Sequence, residues 1–254
     1  MRPPLGSRLK NAYWRLRFGR TARASHFAAD FRDEFRSQYK GRAAEIFFSN
    51  EAEPIHKWLH YLPIYDELFQ PFVGKKPRFL EIGVFRGGSL RMWRQFFGAD
   101  AVLYGIDIDP KCAAYDGRHG VVRIGSQNDA DFLKRVVNEM GGVDVVLDDG
   151  SHIASDQRVS FDALFPLLSE GGLYVVEDMH TAYWPQWEGG LRRPGTAVEF
   201  LKQKVDEMHR HYVKRGRNTP DAMPEIASVQ FFDSIAAIRK QKQRPRHHVV
   251  APPL

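Results

Sequence analysis

Five short apolar runs, each closed at its carboxyl end by glycines or acids, constrain this chain more than any other feature. Arg78–Ile82, Val102–Ile106, Val121–Ile124, Val143–Leu147 and Leu173–Val176 are too short and too rich in β-branched residues for helices, and read as buried strands. Between them lie amphipathic segments, Leu90 to Phe97, Phe132 to Met140 and Phe161 to Leu168, with apolar residues at helical spacing. Such alternation predicts an α/β fold with a doubly wound, mostly parallel sheet. Ile226–Phe231 and Ile235–Ile238, turned at Asp233-Ser234, read as a closing antiparallel hairpin.

The run V-D-V-V-L-D-D-G-S-H, from Val143 to His152, passes abruptly from apolar residues to two acids, a glycine and a histidine. Leu173–Val176 repeats the layout and ends in Glu177, Asp178, Met179 and His180. If both are parallel strands of one sheet, Asp149, Glu177 and Asp178 gather at its carboxyl edge beside His152, where open α/β sheets bind ligands. Taken singly, Asp148 and Asp149 read as a strand end capping the helix near Ser155, and Glu177 with Asp178 as an exposed loop pair. Their joint placement with His152 favours a site.

After the first strand, Gly83, Gly87 and Gly88 open a turn that lets backbone amides approach a ligand, and Ser89 reads as the cap of the following helix. The spacing E-I-G-V-F-R-G-G-S departs from G-x-G-x-x-G, which argues against a nicotinamide or flavin enzyme. Asp107 ends the second strand where a ribose-binding acid is expected, with Asp109 as a competitor. Ser126, Gln127 and Asn128 follow the third strand; they suit an adenine edge or the cap of the next helix.

The chain has 254 residues, 43% of them hydrophobic, enough for one substantial core. Cys112 is its only cysteine, so no intrachain disulfide or cysteine-based zinc site can form. No apolar run is long enough to cross a bilayer, and a cytoplasmic protein is expected. The net charge of +6 is concentrated between Met1 and Arg42, where eleven Lys and Arg oppose three Asp and Glu. The sheet itself is near neutral, so no nucleic-acid partner is expected for it. Residues 1–50 read as a basic, partly helical or disordered extension, 51–241 as the catalytic domain, and 242–254 as a disordered tail. The arm suits a solvated extension, a polyanion or membrane contact, or a transit-like segment. Ile55–Phe69 reads as a helix over the mouth of the sheet, with His56, Lys57 and His60 either pointing at a ligand or, as the simpler reading, on an exposed polar face. Tyr183 to Gly190 is an aromatic loop that either closes over an acceptor or packs on the sheet, and Thr196–Tyr212 is a helix with Val198, Leu201, Val205 and Met208 on one face.

E-I-G-V-F-R-G-G-S, G-I-D-I-D-P, G-S-Q, D-D-G-S-H and V-V-E-D, in that order, resemble the class I S-adenosylmethionine-dependent methyltransferases. Within these, Ile55 to Arg239 is most similar to the metal-dependent sugar O-methyltransferases of the mycinamicin/macrocin type, with the cephalosporin-hydroxylase-like group as a neighbour. The resemblance implies a Rossmann-like seven-stranded sheet. It assigns Glu81, Gly83, Gly87, Gly88 and Ser89 to the methionine part of the cofactor, Asp107 to the ribose, Ser126 and Gln127 to the adenine, and places Asp148 near the cofactor. It makes Asp149, Glu177 and Asp178 the metal ligands and His152, with Asp149, the catalytic pair; it also suggests a homo-oligomer.

The chemistry agrees with that assignment. Three carboxylates form a hard donor set that suits Mg²⁺ better than zinc, and a cation beside a sugar hydroxyl stabilises its developing negative charge. Histidine, which ordinarily titrates near ~6.5, is the residue type suited to take the proton. The expected function is therefore a Mg²⁺-dependent S-adenosylmethionine O-methyltransferase acting on a saccharide of a glycosylated small molecule or oligosaccharide. The alternatives are an enzyme for a catechol-like or other vicinal diol, and a non-catalytic cofactor- or polyanion-binding protein.

Overall fold

In β1 (Arg78–Ile82), the pleat turns Phe79 and Glu81 to one face of the sheet and Leu80 and Ile82 to the other, and each face collects a different layer. The computed structural model describes residues 35–212, 225–242 and 247–250. Expectations for most of the basic arm and for much of the tail lie outside the described residues.

Two compact units divide the chain, Met1–Lys40 and Gly41–Leu254. Of the first, residues 35–38 form a helical turn, and the Phe35 and Tyr39 rings lie 6.4 Å apart. The second unit takes in α1 (Arg42–Phe48), whose Ala43 amide donates to Asp66 Oδ1 at 3.0 Å.

The strands run in the order β3-β2-β1-β4-β5-β7-β6, with β2 (Val102–Asp107), β3 (Val121–Ile124), β4 (Val143–Asp148) and β5 (Leu168–Val176) parallel to β1. β7 (Ile235–Lys240) pairs antiparallel with β5 and with β6 (Ile226–Phe232), and Asp233 and Ser234 turn the hairpin as expected. The seven-stranded, mostly parallel sheet matches the sequence reading. β5 begins at Leu168, ahead of the apolar run Leu173–Val176, and takes in Gly171 and Gly172.

One face is an aromatic layer. α2 (Tyr61–Phe69) and α3 (Gly88–Phe97) pack Tyr65, Phe69, Trp93 and Phe97 against Phe79, with the Phe69 and Trp93 centroids 5.3 Å apart. The other face is largely aliphatic, where α4 (Ala130–Met140), α5 (Ala154–Leu164) and α6 (Ala197–Met208) bury Leu133, Val136, Leu164 and Leu201 against Leu80, Ile82 and Val146. Burial of these side chains stabilises each layer by about 1.5–3 kcal/mol per large residue.

Several local expectations change. α2 begins at Tyr61, so Ile55–His60 is a loop and not the first turns of a helix. The cap of α4 is Asp129, whose carboxylate accepts the amides of Asp131 and Phe132, while Ser126 only closes a turn with the Asn128 amide. The cap of α3 is Gly87 in a left-handed conformation, leaving the Ser89 hydroxyl for another partner. Val205 is exposed, because the buried stripe of α6 runs through Ala197, Val198, Phe200, Leu201 and Lys204. Among the described residues, no helix is long and apolar enough to cross a membrane.

Candidate active site

The ladder of the sheet continues one residue beyond each central strand. Gly83 donates its amide to the Ile106 carbonyl at 2.8 Å, Asp149 to Ile82 at 2.9 Å and Glu177 to Asp148 at 2.9 Å. Gly83, Asp149 and Glu177 thus stand level at the carboxyl edge.

Gly83 has φ 101° and Gly87 φ 75°, a backbone region that side chains other than glycine's rarely adopt. A Cβ at Gly83 would overlap the Asp149 carbonyl oxygen, and one at Gly88 the Pro54 carbonyl. At Gly87 it would meet the Tyr115 ring at 2.7 Å. Asp107 braces this loop: its Oδ2 accepts the amides of Val84 and Phe85, both at 3.0 Å, and its Oδ1 that of Asp109 at 2.8 Å. Glu81 is buried beneath, accepting from the Ser89 hydroxyl at 2.8 Å and the Trp93 indole at 2.9 Å. Burial pushes its carboxyl up to about 7, against the opposing pull of Lys57.

Adjacent acids in β4 part company because successive residues of a strand face opposite ways. Asp148 turns toward α5, fully buried, where the Ser160 and Tyr174 hydroxyls donate to its Oδ2 at 2.7 and 2.9 Å and Gln127 Nε2 donates to its Oδ1 at 3.2 Å. Gln127 Oε1 in turn accepts the Ser151 amide at 2.7 Å. Asp148 and Gln127, both expected at the cofactor, are thus bound to each other and to the loop that carries His152. Ser151 Oγ closes a turn with the Ile153 amide, and neither Asp148 nor Asp149 caps α5.

Asp149 turns the other way, toward the segment before α2. Lys57 reaches it there, its Nζ 2.6 Å from Asp149 Oδ2 and 2.8 Å from Glu177 Oε2. Tyr65 donates to Glu177 Oε1 at 2.7 Å, and Tyr61 to Asp178 Oδ1 at 2.7 Å. Burial opposes the Lys57 charge, but Asp149, Glu177 and Glu81 outweigh it and hold the ammonium above the ordinary lysine range. Burial, with Asp149 nearby, drives Glu177 well above the ordinary carboxyl range. Burial likewise works against the Asp178 charge, yet His152 and the Tyr61 hydroxyl more than offset it and hold that carboxyl low.

His152 Nε2 faces the outer oxygens of the same acids, 3.9 Å from Asp149 Oδ1 and 3.6 Å from Asp178 Oδ2. Both His152 (φ 59°) and Asp178 (φ 55°) occupy the left-handed region, a local cost that the surrounding contacts sustain. One ligand atom from each of Asp149, His152 and Asp178 falls within 4.8 Å of the others, a set able to hold a divalent cation. Glu177, expected as a metal ligand, stands beside this set with both oxygens engaged by Lys57 and Tyr65. His180 bonds Ser234 Oγ through Nδ1 at 2.6 Å, so it braces the β6–β7 turn. Trp187 is buried, and Trp184 packs on His180 with centroids 4.8 Å apart, while Tyr183 is exposed.

Of the two readings open for Lys57, the exposed polar face does not hold: its side chain is only 2% exposed and points into the acid cluster. Tyr61 and Tyr65, four apart on one face of α2, carry the other two donors to the acids. That spacing was visible, but their hydroxyl partners were not.

Residues 80–179 match a family described as "Methyltransferase domain". The chain is 39% identical over 201 residues to mycinamicin VI 2''-O-methyltransferase of Micromonospora griseorubida, covering 74% of this chain and 50% of that protein. It is 38% identical to demethylmacrocin O-methyltransferase of Streptomyces fradiae, covering 72% and 50%. Among solved structures, MycE methyltransferase from the mycinamycin biosynthetic pathway, in complex with Mg and SAH, aligns with TM-score 0.69 and 35% identity over 80% of this chain and 55% of that one. The chain spans about half the length of the curated relatives it matches.

Proposed function

We propose, from the match of residues 80–179 to the methyltransferase-domain family and the likeness of the chain to sugar O-methyltransferases, that it is a Mg²⁺-dependent S-adenosylmethionine O-methyltransferase acting on a saccharide hydroxyl. One observation carries this reading: a glycine turn whose Gly83 packs directly against the Asp149 carbonyl stands level with the strand end that presents Asp149 and His152. A donor site and a proton acceptor are thereby held side by side.

The residues fit both groups. The backbone contacts that a Cβ would overlap require glycine at Gly83 and Gly88, in a turn of the kind that presents backbone amides to a ligand. The carboxylates of Asp149 and Asp178, with Glu177 behind them, form a hard donor set, and the buried His152 Nδ1 is an unsatisfied polar atom in the same cluster. When bound, S-adenosylmethionine supplies an activated methyl group and Mg²⁺ supplies positive charge beside the acceptor oxygens.

The chain's own residues do the remainder. Asp107 fixes the amides of Val84 and Phe85 and so shapes the glycine loop. Asp149 and Asp178, the proposed metal ligands together with Glu177, also face the His152 imidazole, whose Nε2 would take the proton of the acceptor hydroxyl. Asp178 is steadied in that task by Tyr61. Exposed Trp58 and Tyr183 rings lie beside the site, Trp58 and His180 being 5.8 Å apart, and offer apolar faces to an acceptor.

Transfer of a labelled methyl group to a panel of glycosides, with EDTA and with added Mg²⁺, tests the reading. Turnover lost in EDTA and restored by Mg²⁺ supports it; metal-independent turnover removes the cation from the mechanism. A preference for catechols over every saccharide would transfer the assignment to that acceptor class.

A further inference from the structure

Lys57 is inserted into the acid cluster by a loop, from outside the sheet, and among the described residues it is the cation that touches both Asp149 and Glu177. The contacts divide the cluster's oxygens in two. Asp149 Oδ2 and Glu177 Oε2 face the ammonium, while Asp149 Oδ1 and Asp178 Oδ2 face His152 Nε2. An ammonium gripped by two carboxylates has no lone pair to accept a proton, so Lys57 is not a base for the transfer. Tyr65 also reaches Glu177, but its hydroxyl is neutral and cannot balance the charge.

We infer that Lys57 is a positioning residue, a built-in counter-cation that keeps Asp149 and Glu177 assembled without a divalent ion and weakens the site's hold on one. The inference rests on the proposed function only in taking the acids to bind a divalent cation. Two physical effects support it. A buried carboxylate such as Glu177 facing the partly exposed Asp149 without a positive partner is unfavourable, so a metal-free cluster needs the ammonium. A divalent ion drawn to Asp149 also meets the repulsion of the charge already on that residue's second oxygen. Lys57 therefore makes the fold independent of the metal and the metal exchangeable.

The test uses the full chain and its Lys57→Met variant, with melting temperature read in EDTA and in Mg²⁺, and Mn²⁺ affinity read by electron paramagnetic resonance without donor or acceptor. The wild type should melt at nearly the same temperature in both buffers. Lys57→Met should melt lower in EDTA by about 5 °C, recover in Mg²⁺, and bind Mn²⁺ about tenfold more tightly. A Lys57→Met protein that melts like the wild type in EDTA, or binds Mn²⁺ no more tightly, overturns the inference, as does absence of Mn²⁺ binding to both. Should Lys57→Met not fold, the double variant Lys57→Met/Glu177→Gln decides, because it removes one acid together with the ammonium. Its folding in EDTA supports the counter-cation role and its failure refutes it. Neither readout involves turnover, so a protein that behaves as stated yet transfers no methyl group would defeat the functional reading alone.

Discussion

Tyr61 donates its hydroxyl to Asp178 Oδ1 at 2.7 Å across 117 positions of sequence, tying the first turn of α2 to the loop after β5. The same hydroxyl lies 2.9 Å from Ser234 Oγ, so one side chain joins a helix, an acid and the β6–β7 turn.

Tyr61→Phe should therefore shift the acid limb of stability. Asp178 titrates below its ordinary 3.8 in the fold, so its contribution is present above that value and lost as pH falls through the folded pKa. Without the hydroxyl the folded pKa rises and the loss begins at higher pH, with about 1 kcal/mol less stability at neutral pH. Acid unfolding followed by circular dichroism checks this; coincident curves for variant and wild type would remove Tyr61 from the account.

Glu81→Gln addresses the neutral range. The buried Glu81 carboxyl is raised from 4.5 to about 7, so its contribution is full below about 4.5 and is lost as pH rises to about 7. Glutamine keeps an acceptor for the Trp93 indole and a partner for Ser89 while carrying no charge. Its stability should stay flatter between those values and exceed the wild type at pH 8 by on the order of 3 kcal/mol. Denaturant titrations at several pH values measure the slope, and an unchanged slope contradicts the assignment.

His152→Ala should lower turnover by about a hundredfold or more, since a positioned base contributes on that scale. Binding of S-adenosylhomocysteine, read by calorimetry, should change little, because the glycine loop is left intact. A parallel collapse of cofactor affinity would show that the imidazole holds the loop and not the proton.

Gly83→Ala should disturb both halves of the site together. The new methyl group collides with the Asp149 carbonyl in a backbone conformation unsuited to alanine, costing about 1–3 kcal/mol. Cofactor affinity and Mn²⁺ affinity should fall in the same variant. If only cofactor binding suffers, Gly83 and Asp149 are not mechanically coupled.

Much of the site was legible because it lies on strand ends. Asp149, His152, Glu177 and Asp178 follow runs whose β-branched composition reveals their conformation, and parallel pairing brings such ends level without further information. The separation of Asp148 from Asp149 follows from the two-residue period of any strand. Which of the two faces the site depends on where α2 and α5 pack.

Sequence alone determined the alternation of strands and helices, the closing hairpin, the glycine turn and the acids that end β4 and β5, because each depends on neighbours within a few residues. Only the tertiary structure decided that Lys57, from a loop without periodicity, would be buried between Asp149 and Glu177, and that Tyr61 and Tyr65 would turn their hydroxyls to Asp178 and Glu177. Those contacts span 92 to 120 positions and arise from charges and donors that find partners only once the layers close. No local pattern in the chain encodes that compensation.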